Sequence, residues 1–321
     1  MKTIGRAPLS SLGIPFGLAG LAGTWTMAVD TLGTPGVVGD LLWFVALIAW
    51  VGVTVNYLLR SRHRGGSIRG DLDDPVQGAF ATLAPVCGML LGTHFAASAP
   101  LAGRILVVAC MGLTLILGAR FVAWLAAGSQ DLDRVHAGYL LPTVAAFLIM
   151  GMSAGSLGWT TLSAAGIGVG VLFWLLLGTV VLARTMFRAP LPAPLLPTFA
   201  IFSAPPAVAG NAWFAFNGGE LDTVQSLLLG TFVLLIAVQL AMIATYWRLP
   251  FTLGFWAFTF TAASSGTYAL HWLSLADAPG KLAWGYLALT LVTLLIGSIA
   301  ARSAALLVRA RRPVPVATER A

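Results

Sequence analysis

Ten hydrophobic stretches, each long enough to cross a lipid bilayer, fill most of this chain. They run approximately Leu12 to Ala28, Val37 to Leu59, Val76 to Ala97, Ile105 to Ala126, Gly138 to Gly155, Thr160 to Ala183, Pro197 to Ala215, Thr223 to Trp247, Phe251 to Leu275 and Ala283 to Val308. A spanning helix needs about 20 mostly apolar residues, because an unpaired backbone amide in hydrocarbon costs several kcal/mol and a helix pairs its amides internally. A chain that is 58% hydrophobic and 9% charged, with a mean hydropathy of +0.90, lies far outside the range of soluble domains. The expectation is an all-α integral membrane protein. One membrane domain over residues 12–308 sits between an N-terminal tail, residues 1–11, and a basic C-terminal tail, residues 309–321.

Orientation follows from the basic residues, since short cytoplasmic loops carry an excess of Lys and Arg. With the N-terminus inside, all but Arg104 and Lys281 of the 18 Lys and Arg residues fall on the cytoplasmic side, from Lys2 and Arg6 to Arg312 and Arg320. Both termini are therefore expected in the cytoplasm. The same bias explains the net charge of +7 and the isoelectric point near 10.1 without any nucleic-acid partner. A signal peptide is the competing reading of Lys2 and Arg6 followed by an apolar run that ends in the small residues Leu18 to Gly23. Pro15 interrupts that run, and it continues past Trp25 without a polar cleavage region.

An internal repeat separates the spans into two kinds. Pro15, Pro85, Pro142 and Pro205 lie in the first, third, fifth and seventh spans, each nearer the cytoplasmic end, while the even-numbered spans contain no proline. Proline removes an intrahelical hydrogen bond, and the freed carbonyl is tolerable at membrane depth only where protein or a water-filled cavity surrounds it. The odd spans are also dense in small residues, as in Gly13, Gly17, Gly20 and Gly23, Gly88 and Gly92, Gly151 and Gly155, and Ser264, Ser265 and Gly266. Small residues let backbones approach closely or leave a lumen open. The even spans read as Leu, Val, Trp and Phe, for example Leu41 to Phe44 and Val171 to Leu177, which suits contact with lipid. Gly166, Gly168 and Gly170 in the sixth span follow no strand, so helix packing accounts for them better than a nucleotide loop. Kinked inner spans jacketed by straight outer ones are the predicted arrangement.

The spans lack the groups that coupled cation transport and catalysis use. All 11 acidic residues map to loops, tails or span ends, so the usual marker of a proton relay or cation site is missing at mid-membrane depth. A conduit without buried acids tolerates anions better than cations. His63, His94, His136 and His271 are scattered, with His63 and His136 in cytoplasmic loops and His94 and His271 toward the outer ends of the third and ninth spans. No spacing resembles a metal site or a nucleophile with its base, so neither an enzyme nor a cofactor is expected. Cys87 and Cys110 read as buried, unreactive thiols.

Four motifs in order resemble the tellurite-resistance/dicarboxylate transporter family, which includes bacterial tellurite-resistance channel homologues and the slow-type anion channels of plant guard cells. They are Leu12 to Trp25 in the first span, Tyr139 to Pro142 in the fifth, Ala204 to Val208 in the seventh and Phe255 to Phe260 in the ninth. The resemblance implies five helical hairpins in quasi-fivefold order around a central pore in a bacterial inner membrane. It further implies odd-numbered helices lining that pore and a homotrimeric assembly. The pore would carry small inorganic anions or small dicarboxylates. By position in the aromatic motif, Phe260 matches a phenylalanine that plugs the pore, with Pro15, Phe16, Pro85, Pro142, Pro205, Thr261 and Ser264 as kink or pore-lining positions. Family members often carry a proline where this chain has Thr261, which predicts a less bent ninth helix.

Overall fold

A computed structural model of the protein describes residues 8–63, 68–128 and 130–311. Lys2, Arg6, Arg64, Arg312, Glu319 and Arg320 lie outside the described residues, as does most of each tail. The described residues form ten long helices: α1 (Gly13–Leu32), α2 (Gly36–His63), α3 (Leu83–Phe95), α4 (Pro100–Ala126), α5 (Ala146–Ser156), α6 (Thr160–Phe187), α7 (Pro205–Asn217), α8 (Thr223–Ala241), α9 (Ala257–Leu275) and α10 (Lys281–Arg311). With their lead-in turns, nine of the spans are long and apolar enough to cross a membrane. The exception is α9, where Thr259, Thr261, Ser264, Ser265 and Thr267 dilute the apolar run.

Burial divides the helices as residue size predicted. Within the most apolar stretch of each span, 56% to 83% of residues are buried in the first, third, fifth and seventh, against 6% to 33% in the second, fourth, sixth, eighth and tenth. The outer faces are bulky and exposed, with Ile48, Leu101, Leu175 and Leu294 among them, as lipid contact requires. Each odd helix packs on the even helix that follows it. The inner helices also touch in closed order: α1 on α3, α3 on α5, α5 on α7, α7 on α9, and α9 back on α1.

The prolines act at helix starts rather than in mid-helix. Each inner span opens with a tighter turn and then changes to α-helix. The 3₁₀ segments are Leu9–Leu12, Gly78–Thr82, Ala137–Leu140, Leu196–Ser203 and Leu253–Trp256, and a π turn, Leu141–Ala145, follows the third of them. Pro15, Pro85 and Pro205 stand in the first turn of the α-helical part, and Pro142 in the π turn. Each missing N–H thus falls at the junction where 3₁₀ pairing gives way to α pairing, inside a span that other helices cover. The ninth span makes the same change of pitch at Trp256–Ala257 without a proline.

Turn chemistry fixes the helix ends. Gly33 closes α1 in the left-handed region at φ 70°, with its N–H on the Val29 carbonyl at 3.1 Å. Asp222 caps α8 by accepting the Gln225 N–H at 2.8 Å. Glycines permit the tightest contacts between neighbours. A Cβ on Gly166 would lie 2.7 Å from the Gly151 backbone nitrogen and 2.8 Å from the Phe147 carbonyl, whereas one on Gly168 would meet nothing within 4 Å. The two faces of α6 are thus distinguished two residues apart: Gly166 packs on α5 and Gly168 faces outward. Gly166→Ala should therefore destabilise the protein by about 1–3 kcal/mol, as overpacking does. Gly168→Ala should be neutral or slightly stabilising, and thermal unfolding in detergent compares the two.

Candidate functional site

Two cavities lie inside the ring of inner helices, one beyond the other. The first, of about 300 Å³, sits at the end where the inner helices begin and is walled by the lead-in turns and first helical turns, including Phe16, Phe80, Leu83, Leu141, Ile201 and Trp256. The second, of about 270 Å³, lies toward their C-terminal ends and is lined by Gly20, Thr93, His94, Ser153, Asn211 and Thr267, among others. Phe260 and Val208 line both. The phenyl ring of Phe260 therefore stands at the junction of the two spaces, 9% exposed and stacked on Phe16 with ring centroids 3.7 Å apart and planes 14° from parallel.

Both cavities carry hydroxyls and amides. In the second, many of the hydroxyl protons are already committed to helix carbonyls: Thr26 to Ala22 at 3.0 Å, Thr93 to Met89 at 2.8 Å and Thr267 to Ala263 at 3.0 Å. The Ser153 hydroxyl and the Asn211 Oδ1 are buried and have no partner. Among the residues lining the two cavities there is no Lys or Arg, and Asp30, in the last turns of α1, is the one acid. No group of three His, Cys, Asp or Glu residues among those described is placed to hold a metal ion.

The ninth span is tied to its neighbours on both sides of Phe260, through a side chain before it and through backbone carbonyls after it. Before it, the Trp256 indole N–H donates to Ser303 Oγ at 2.9 Å. After it, Thr24 Oγ1 donates to the Ala263 carbonyl at 3.0 Å and Asn211 Nδ2 to the Ser264 carbonyl at 3.0 Å. Thr261, in the position where a proline was expected from the resemblance, shares its hydroxyl between the carbonyls of Ala257 and Ala200, both at 3.3 Å. It keeps its own N–H and ties α9 to the 3₁₀ lead-in of α7. The Phe260 side chain, by contrast, is held by apolar contact alone.

The other expected positions fall in three groups. Phe16 and Thr261 line the first cavity and Ser264 the second. Pro15, Pro85, Pro142 and Pro205 are buried between helices and line neither cavity. Trp43 was expected to face lipid with Leu41 and Phe44; those two are 61% and 55% exposed, but Trp43 is 5% exposed and lines the second cavity. Its indole stacks on His94 at 4.5 Å and donates to Thr26 Oγ1 at 3.0 Å. The signal was present in the helical spacing of Trp43, Ala46 and Trp50, an inward stripe on an otherwise outward helix. Cys87 and Cys110 are buried free thiols, as expected.

His136 is not the solvated loop histidine that its position suggests. It is 1% exposed, its Nδ1 accepts the Gly138 N–H at 3.1 Å, and it caps the fifth span. Burial pushes its imidazole down to about 4, and the Arg184 guanidinium acts in the same direction against the backbone of Val76 and Pro75 and the Asp74 carboxylate. The unfolded chain takes up a proton near the ordinary pKa of about 6.5 while the folded one does not. Stability is thus full above pH about 6.5 and falls as pH drops toward 4, by up to about 3 kcal/mol from this group. His136→Asn, which keeps an acceptor for the cap, should show a smaller loss of thermal stability between pH 7 and pH 4.5 than the unsubstituted protein.

A family profile described as voltage-dependent anion channel (SLAC1) matches residues 6–304. The tellurite resistance protein TehA homolog of Haemophilus influenzae is 27% identical in sequence, over 82% of this chain and 80% of its own length. The S-type anion channel SLAH2 of Arabidopsis thaliana is 24% identical over 82% of this chain, which spans about half, 52%, of that longer protein. With the profile covering nearly all of its residues and both cavities inside the matched region, the chain belongs to the SLAC1 voltage-dependent anion channel family, as a multi-pass membrane protein.

Proposed function

We propose that this protein conducts small inorganic anions through the two aligned cavities and that the Phe260 ring is the gate between them. One observation carries the reading: a single phenyl ring lines both spaces at their junction, in a chain whose family is one of anion channels. A ring across a narrow apolar passage excludes water, and an ion crosses only when the ring swings aside. Because the ninth span is tied to its neighbours before and after the ring, side-chain rotation, rather than helix displacement, is the motion that opens it. With no cationic side chain lining the cavities, discrimination comes from the cost of dehydration, which favours weakly hydrated monovalent anions such as nitrate and chloride.

In this reading the five hairpins form a quasi-fivefold ring around the conduit, and three copies assemble with one conduit each. The membrane is the bacterial plasma membrane with both termini in the cytoplasm, so the 300 Å³ cavity opens inward. The distribution of Arg69, Arg134, Arg188, Arg248 and Arg302 at the end where the inner helices begin supports that orientation. The tail boundaries at residues 11 and 309 follow from the same reading.

Phe260→Ala should raise anion conductance several-fold in planar bilayers, with nitrate and chloride permeant. Unchanged current at equal protein incorporation would remove the gate. A second reading keeps the site and changes the transport mode: an exporter of oxyanions such as tellurite or sulfite, or of small dicarboxylates. The name of the Haemophilus relative favours it, and two chambers flanking one ring suit it. Saturable, pH-dependent uptake into liposomes with no single-channel events would select the exporter.

A further inference from the structure

The Phe260 ring is confined unequally on its two sides. Phe16 lies against one face, at 3.7 Å between nearly parallel ring centroids, which is van der Waals contact and leaves no room for movement in that direction. Phe16 lines the first cavity and not the second. One helical turn further along α1, on the same face, stands Gly20, which lines the second cavity and not the first. A Cβ on Gly20 would lie 2.9 Å from Cδ2 of Phe260 and 2.9 Å from the Ala263 Cβ, so the ring lies directly against the bare backbone of α1. Gly20 borders the open 270 Å³ space. Along α1 the ring thus meets a phenyl side chain on the side of the first cavity and no side chain on the side of the second.

We propose that Phe16 is a one-sided stop for the Phe260 gate, a positioning residue that lets the ring swing into the second cavity and blocks its swing into the first. The inference rests on the gate reading above. Its consequence is asymmetric conduction. An anion driven from the first cavity pushes the ring toward vacant space, whereas one driven from the second presses it onto Phe16. The bonds that tie the ninth span before and after the ring hold the helix while the side chain moves. The Phe16 ring also covers one apolar face of Phe260, so the closed position is the dry one.

The test uses the full chain expressed in cells, where insertion has one orientation, and compares anion current in excised patches at equal and opposite voltages. The unsubstituted protein should pass several-fold more current when anions enter from the end where the inner helices begin. Phe16→Ala should raise the current and make it nearly symmetric. Phe16→Leu, which keeps apolar volume but offers a narrower stop, should lose part of the asymmetry and guards against a failure of the alanine variant to fold. Phe16→Ala added to Phe260→Ala should change neither current nor symmetry further, because the stop acts only through the ring. If Phe260→Ala raises the current but the unsubstituted protein is already symmetric, or both Phe16 variants keep its asymmetry, the stop is wrong and the gate stands. If Phe260→Ala changes nothing, the gate itself fails and the stop with it.

Discussion

Hydrocarbon offers no partner for a backbone amide, and the division of labour among the ten helices follows from that constraint. The outer helices meet it on their own, as long uninterrupted α-helices whose bulky side chains shield a fully paired backbone. Having that jacket, the inner spans are released from it. They begin with 3₁₀ and π turns, carry hydroxyls on α9, and approach one another closely enough that an added methyl group at Gly155 of α5 would collide with the Ala215 backbone of α7. Irregular backbone at membrane depth is tolerable when other protein covers it, and here the covering is complete enough that the first, third, fifth and seventh spans are mostly buried.

The same separation shapes the electrostatics of the conduit. Charges collect where the chain leaves the membrane, as in Arg120 paired with Asp73 and Arg188 facing Asp133 at 3.7 Å. Inside, polarity comes from hydroxyls and amides whose protons mostly return to helix carbonyls. A passage of this kind holds no ion tightly. Binding weak enough to release the ion is as necessary for conduction as binding favourable enough to admit it. The exposed carboxylate of Asp30 sits at the far end of the second cavity, away from the ring.

The number of spans, their alternation and the inward set were legible because hydropathy and residue size report what surrounds a helix. Where single side chains point was less so. Trp43 reads as a lipid-facing aromatic until the stripe through Ala46 is followed inward, and His136 reads as a loop residue because its burial depends on the turn before the fifth span and on Arg184 from a distant helix end. The stack of Phe16 on Phe260 joins the two ends of the chain and depends on the relative rotation of α1 and α9, which no local pattern encodes. The prolines marked the correct helices but suggested bends within them, since a proline in a first helical turn and one in a kinked interior look alike when the start of the helix is unknown.

The tight lead-in turns also bear on membrane thickness. The third span has 18 residues, which as α-helix alone would reach only about 27 Å. Its five 3₁₀ residues rise about 2.0 Å each and the thirteen that follow about 1.5 Å, for a length near 30 Å, the depth of a typical hydrocarbon slab. The 3₁₀ lead-in thereby gives this short span about 2.5 Å of reach that the same five residues would lack as α-helix, length that counts against hydrophobic mismatch.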